Sequence, residues 1–258
     1  MQYYVHNLNP IAIDFLGIKI AWYWLAYFLG YFWTLYFGKY LITKEKLNIS
    51  FTHYLNYLFV GFFVMLAGGK IFYILFYNFS YYAADLKRVF YFWQGGMSFH
   101  GALLGAALWT FYYAKKHGLK FLELTDIVVT GVGIGIMLGR IANFINGELA
   151  GRVTDVSWAV IFPKLYDMSP RHPSQLYEAL LEGLVLFIIL FACKKNLKRP
   201  GLNSGLFLII YGISRFIVEY FRTPDPQIGL FFDLFSVGQF YCAVMILFGI
   251  GIISLPSR

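Results

Sequence analysis

Seven stretches of apolar residues, at roughly 18–38, 55–77, 97–114, 126–146, 176–193, 204–221 and 236–254, constrain this chain more than any other feature. Each is long enough to cross about 30 Å of hydrocarbon as a helix. Inside hydrocarbon the backbone must satisfy its own hydrogen bonds, so only helices and closed barrels span a bilayer. The run at 181–193 shows no alternation of polar and apolar residues, which favours helices. The expectation is an all-α, polytopic integral membrane protein with seven transmembrane helices, forming a single membrane-embedded domain over 1–258. Only 13% of the residues are charged, against about 25% in an ordinary soluble domain, which argues against a large soluble core. Glycines recur in the spans (Gly61, Gly68, Gly101, Gly105, Gly131, Gly133, Gly135, Gly139), where small residues let membrane helices approach closely.

Basic residues set the orientation. The first, third and fifth loops carry Lys39, Lys44 and Lys46, then Lys115, Lys116 and Lys120, then Lys194, Lys195, Lys198 and Arg199; with Arg258 these are 11 of the 21 Lys and Arg. The other loops carry six: Lys87, Arg88, Arg152, Lys164, Arg171 and Arg222. The richer set belongs in the cytoplasm, so the N-terminus is expected outside and the C-terminus cytoplasmic. His100, the stretch 139–152, Arg171 and Arg222 then fall toward the outer side. The net charge of +8 is explained by topology and anionic lipid heads, with no need for nucleic acid. No cationic region precedes the first apolar run, so a cleaved signal peptide is not expected. Cys193 and Cys242 lie in apolar segments without metal-like spacing and read as neither a disulfide nor ligands.

Residues 139–152, GRIANFINGELAGR, end an apolar segment with an arginine, two asparagines and a glutamate. Charge at membrane depth costs at least a few kcal/mol and points by default to function. Continuing the helix past Gly139 puts Arg140 and Asn143 on one face, and Gly147 breaks it so that Asn146 and Glu148 sit on a turn. Arginine binds phosphate or carboxylate through a planar fork; the alternative is an arginine snorkelling from a helix end, paired to Glu148. Arg215 and Glu219, at i and i+4, either pair structurally or serve a ligand. Two buried arginines without an obvious excess of buried carboxylates suggest an anion site. His100, at the outer start of the third span, is a satisfied core histidine or a general base. In RHPSQLYE at 171–178, Pro173 forbids helix before it and Ser174 or Gln175 opens the fifth span. Capping does not explain Glu178 and Glu182, two acids at i,i+4 within that span. Tyr23, between Trp22 and Trp24, is either belt residue or cavity hydroxyl. HExxH, GxSxG and P-loop motifs are absent, which weakens metalloprotease, serine hydrolase and nucleotide-driven pump readings.

These residues resemble the bacterial prolipoprotein diacylglyceryl transferases. GRIANFINGELAGR is similar to the family signature, supported by GGKIFYILFYN at 68–78, GGMSFHGALLG at 95–105, RHPSQLYEALLEG at 171–183 and GISRFIVEYFRTPD at 212–225. The resemblance implies seven membrane helices with the N-terminus outside, in the bacterial cytoplasmic (inner) membrane with the active site toward the outer face. It implies transfer of a diacylglyceryl group from phosphatidylglycerol to the lipobox cysteine of a preprolipoprotein signal-peptide substrate, forming a thioether and releasing glycerol phosphate. No cofactor or metal is implied. By motif, Arg140 and Arg215 would hold the lipid phosphate, His100 matches the functional histidine, and Asn143, Asn146, Glu148, Gly151, Tyr23 and Glu219 match substrate-site positions. Ala142, Ala150, Trp24 and Lys70 depart from the family pattern and bear on cavity shape and lipid preference. The outer loops at 78–95, 152–174 and 223–235 are candidates for a cover over the site, on length alone. A secondary transporter for an organic anion is the main rival; it calls for paired broken helices in two related halves, and the sequence shows no such symmetry. A non-catalytic membrane scaffold is the third reading.

Overall fold

The computed structural model describes residues 3–91, 96–164, 166–223, 230–231 and 235–255. In chain order the elements are β1 (Tyr4–Val5), β2 (Ile11–Phe15), β3 (Ile18–Ala21), α1 (Trp22–Lys44), α2 (Phe51–Tyr77), α3 (Phe79–Ala83), a 3-10 turn (Leu86–Phe90), α4 (Phe99–His117) and α5 (Phe121–Asn146). Then come β4 (Val160–Ile161), β5 (Pro170–Arg171), α6 (Ser174–Glu178), a π turn (Ala179–Val185), α7 (Leu186–Ala192), a second 3-10 turn (Lys194–Lys198), α8 (Leu202–Glu219), β6 (Leu230–Phe231), β7 (Phe235–Ser236) and α9 (Val237–Ile253).

Every apolar stretch coincides with a helix, within a few residues. Among the described residues four helices are long and apolar enough to cross a membrane: Phe51–Tyr77, Phe121–Asn146, Ser174–Ala192 (α6, the π turn and α7 in one rod) and Leu202–Glu219. Within α9, Gly238–Ile253 is a shorter apolar helix. α1 has membrane length, but it is rich in tyrosine and tryptophan, whose polar tips lower the hydropathy; α4 ends in Lys115, Lys116 and His117. The chain is mostly helical, and short strands occupy the connections. The first helix begins at Trp22, since 18–21 is strand β3, an apolar run that merges in sequence with the helix after it.

The chain divides into two compact units, Met1–Glu45 with Asp126–Arg258, and Lys46–Thr125. In the first, β1 runs parallel to β4, which pairs antiparallel with β5, and β2 pairs with β3 as a separate hairpin. α5 packs closely on the π turn. A Cβ at Gly183 would lie 2.8 Å from the Met137 Cα, and one at Gly133 would lie 2.7 Å from the Gly183 carbonyl oxygen. Only hydrogen at both positions allows that approach, which brings the polar end of α5 against α6. Asp126, on α5, caps α8: its carboxylate accepts from the N–H groups of Gly201 (2.6 Å) and Ser204 (2.7 Å) and from the Ser204 hydroxyl (2.6 Å). These are donors that a helix start leaves without intrahelical partners, satisfied here by a fully buried carboxylate.

In the second unit α2 lies along α4. The Tyr57 hydroxyl meets the Thr110 hydroxyl at 2.8 Å, and the Trp109 indole donates to the Tyr57 carbonyl at 2.9 Å. Ser50 and Ser98 cap α2 and α4, accepting from the backbone N–H groups of His53 and Gly101. Gly118, at φ 65, closes α4 in the left-handed conformation.

Candidate active site

The C-terminal part of α5, the end of α6 with the π turn, and the end of α8 with the residues just after it carry charged groups that converge in the first unit. Arg140 directs Nε to Glu178 at 2.9 Å and Nη2 to Glu182 at 3.1 Å. Arg215 reaches Glu178 at 3.0 Å, Glu182 at 3.4 Å and Glu219 at 3.3 Å. Arg222 pairs with Glu178 and lies 3.6 Å from Glu219. The Glu178 and Glu182 side chains are fully buried, whereas Arg140 and Arg215 keep about a fifth of their surface open (21% and 20%). Arginines with one accessible edge and carboxylates buried beneath can receive an anion from the open side.

Carboxylates are therefore not in excess over arginines, and the Arg215–Glu219 pair offered by their spacing is present. Three guanidiniums face three carboxylates, and the cluster is formally neutral. Sequence reasoning left Glu178 and Glu182 unexplained and placed Arg222 in a loop. A signal for Arg222 was present: Arg215, Glu219 and Arg222 stand at i, i+4 and i+7, one face of a helix. The partners of the two glutamates were not readable, because they depend on how α6 and the π turn are rotated against α5 and α8. π turns recur at functional sites, and this one starts directly after Glu178 and contains Glu182, both of which face Arg140 and Arg215.

A second set forms beside it. The Asn143 and Asn146 side-chain amides donate to the Glu148 carboxylate at 2.7 and 3.2 Å. Glu148 thus pairs with asparagines and not with Arg140, which removes the snorkelling pair as an account of Arg140. The Gln175 amide donates to the Glu148 carbonyl at 2.6 Å, and the Ser174 hydroxyl to the Leu149 carbonyl at 3.0 Å. The start of α6 therefore holds the turn after α5, which Gly147 opens at φ 76.

Gly151 sits where the motifs at 139–152, 171–183 and 212–225 meet. Its N–H donates to the His172 carbonyl at 2.9 Å, and it bridges to Arg222. A Cβ there would fall 2.3 Å from the Phe221 carbonyl oxygen and 2.8 Å from the His172 Cβ, so no residue but glycine fits without displacement. Next to it the Trp158 indole donates to the Tyr177 hydroxyl at 2.7 Å, and that hydroxyl lies 3.2 Å from His172 Nδ1. Burial pushes the His172 imidazole below its ordinary value.

The sequence-derived residues therefore fall into groups. Arg140, Arg215 and Glu219 are brought together with Glu178, Glu182 and Arg222; Asn143, Asn146 and Glu148 form their own set; Gly151 joins that turn to Arg222. Tyr23, in the first turn of α1, packs edge-on against Tyr27 with ring centroids 5.1 Å apart. His100 belongs to the other unit, where it is exposed in the first turn of α4. Lys70, in that same unit, is buried and donates to the Tyr82 hydroxyl at 3.1 Å. Of the candidate covering loops, 92–95, 165, 224–229 and 232–234 lie outside the described residues. Among the described residues no three His, Cys, Asp or Glu side chains group as a metal would require.

Membrane-length helices around a buried arginine–glutamate cluster define a class: helical membrane proteins with an anion-compatible polar site. A family model for prolipoprotein diacylglyceryl transferase matches residues 10–255. Curated relatives called phosphatidylglycerol–prolipoprotein diacylglyceryl transferase include one from Rickettsia typhi, 44% identical over 249 residues, covering 94% of this chain and 95% of the relative. Another, from Vibrio campbellii, is 43% identical over 244 residues, covering 95% and 89%. The chain belongs to the prolipoprotein diacylglyceryl transferase family.

Proposed function

We propose that this protein transfers the diacylglyceryl group of phosphatidylglycerol to the lipobox cysteine thiol of a preprolipoprotein, the first step of lipoprotein maturation. The observation that carries the reading is the cluster of Arg140, Arg215 and Arg222 with Glu178 and Glu182, assembled from three motifs of a family matched over nearly the whole chain. The sulfur attacks glycerol C3 of the diacylglyceryl group, the C3–O bond to phosphate breaks, and glycerol phosphate leaves with the electron pair. Negative charge grows on the departing phosphate. Arg140 and Arg215, with edges open beside their glutamates, bind that charge better in the transition state than in the ground state.

The cluster is neutral before lipid arrives, so the phosphate competes with Glu178 and Glu182 for the same guanidiniums. Arg222 gives Glu178 a further partner while Arg140 and Arg215 turn toward phosphate. Asn143, Asn146, Glu148, Gly151, Tyr23 and Glu219 form the substrate-binding surface, and His100 serves as base for the thiol, which is mostly protonated at neutral pH. The reading includes seven spans in one membrane-embedded domain, an outside N-terminus, and a site toward the outer face of the bacterial inner membrane, where lipid and signal peptide arrive in the bilayer plane. Neutralisation of every arginine in the cluster also favours a second reading, a structural ion-pair network.

Mass spectrometry of a lipobox peptide incubated with reconstituted protein and phosphatidylglycerol tests both. The expected result is a diacylglyceryl mass at the cysteine, lost by ~10²–10³ in rate with Arg140→Ala and poorly restored by Arg140→Lys, which keeps charge and loses the fork. Full activity of folded Arg140→Lys would favour the structural network and remove the clamp. His100→Gln cannot titrate; a wild-type rate and pH profile for that variant would remove the base.

A further inference from the structure

β2 and β3 form a two-stranded antiparallel ribbon whose register pairs Ile13 with Ile20, Asp14 with Lys19 and Phe15 with Ile18. Side chains alternate across a strand, so Ile13, Phe15, Ile18 and Ile20 share one face while Asp14 and Lys19 stand on the other. The apolar face is open: Ile13, Phe15 and Ile18 are 45%, 66% and 65% exposed. At the turn, Leu16 is 87% exposed.

The turn residues do not suit water. Leu16 and Gly17 have φ of 50 and 82, the positive pair of a type I′ hairpin, which normally selects Asn-Gly or Gly-Gly. Leucine in the left-handed region is conformationally unfavourable and, at a tip, offers water only a side chain that avoids it. An isolated two-stranded ribbon is marginal in water and needs a surface for its apolar face.

We propose that this hairpin is an interfacial membrane anchor, with Ile13, Phe15, Leu16, Ile18 and Ile20 immersed in lipid and Asp14 and Lys19 turned to the headgroups and water. Continuity with α1 selects lipid as the occupant. Ala21, the last residue of β3, is followed directly by Trp22 of α1, and the Trp22 N–H donates to the Pro10 carbonyl at 3.1 Å, tying the base of the ribbon to the helix start. Trp22 and Trp24 are both exposed there, and tryptophan at a helix end marks the membrane–water boundary. A helix entering the bilayer at Trp22 leaves the ribbon at the depth where amphipathic surface elements settle. The Asp14–Lys19 pair carries no net charge, so apolar burial and not attraction to anionic lipid provides the affinity. The inference rests on α1 crossing the membrane and is independent of the transfer reaction.

Spin labelling of the full chain in nanodiscs tests it, with Cys193→Ser and Cys242→Ser as background and a nitroxide at Leu16→Cys, Asp14→Cys or Phe28→Cys. Oxygen partitions into lipid and a nickel chelate into water. The expected result is an oxygen-to-nickel collision ratio several-fold higher at position 16 than at 14, equal in phosphatidylcholine with or without phosphatidylglycerol, and high at 28. A label at 16 as open to nickel as that at 14, with 28 in lipid, overturns the anchor. A label at 16 shielded from both probes also overturns it, in favour of a second copy or a bound peptide. An aqueous reading at 28 overturns it through α1 itself. An acyl-chain photocrosslinking lipid needs no substitution: adducts on the peptide containing Phe15–Ile18 are expected, and adducts on α1 alone would sink the proposal.

Discussion

At the scale of single residues, the positions with least freedom are those where backbone meets backbone. Gly151 is held between the Phe221 carbonyl and His172, and a methyl group there must push apart the segments that carry Arg222 and the start of α6. Gly151→Ala is expected to cost about 1–3 kcal/mol, as overpacking does, and to lower activity more than folding, since Arg222 shifts first. Thermal unfolding in detergent alongside the transfer assay checks this; unchanged activity would mean that the Gly151–Arg222 bridge does not position the site. His172 belongs to the same junction. Its folded value is lowered by burial, so the neutral imidazole is the form that folding favours. Its contribution to stability is complete above the unfolded value of ~6.5 and is lost as pH falls through the lower folded value. Acid should therefore destabilise the wild type more than His172→Phe, read as unfolding midpoints between pH 7 and 5; parallel midpoints would show that His172 does not titrate with folding.

At the scale of elements, the least expected feature is the π turn between α6 and α7. The apolar run at 176–193 reads as one uninterrupted helix, and nothing in its composition marks where the hydrogen bonding changes. Asp126 is likewise an acid in an apolar stretch whose task is visible only in space. Asp126→Ala removes an acceptor for three donors and leaves the start of α8 uncapped in a buried place. A loss of about 3 kcal/mol is expected, combining the cap with unmet buried donors; Asp126→Asn, with one acceptor left, should fall between. Denaturant titration of purified protein checks the order, and a tolerated alanine would show that the cap does not support α8. Helix positions were legible because a run of apolar residues long enough to span lipid has few other uses. The end of α5 at Gly147 and the start of α6 after Pro173 were legible from turn chemistry. The hairpin was not, because its isoleucines blend into the first apolar run. The signature residues were legible by type, but their partners were not: Arg140 meets acids some 40 positions later in the chain, and only helix packing decides that.

At the scale of the whole molecule, orientation is the property on which the proposed chemistry depends most, because both substrates are presented at one leaflet. The argument for an outside N-terminus rests on loop charge, and its strongest part is the short segment holding Lys194, Lys195, Lys198 and Arg199. It forms a compact 3-10 turn between α7 and α8, too short to be translocated as a domain, which is the circumstance in which the positive-inside rule applies. The opposite end of α8 leads to Arg222 and the charged cluster. One helix thus separates the basic turn from the proposed site, and the two must face opposite sides if α8 crosses the membrane. Single cysteines at Asp155 and Lys195, both exposed, in a chain carrying Cys193→Ser and Cys242→Ser, convert this into a measurement. A membrane-impermeant maleimide applied to cells with a permeabilised outer envelope should label position 155 directly and position 195 only after the inner membrane is opened. The reverse pattern would put the Arg140–Arg215 cluster on the cytoplasmic side, where an exported lipobox peptide does not arrive, and would overturn the proposed direction of catalysis while leaving the ion-pair geometry untouched. Labelling of both positions from outside would instead mean that the rod of α6, the π turn and α7 does not cross, and the count of seven spans would fall with it.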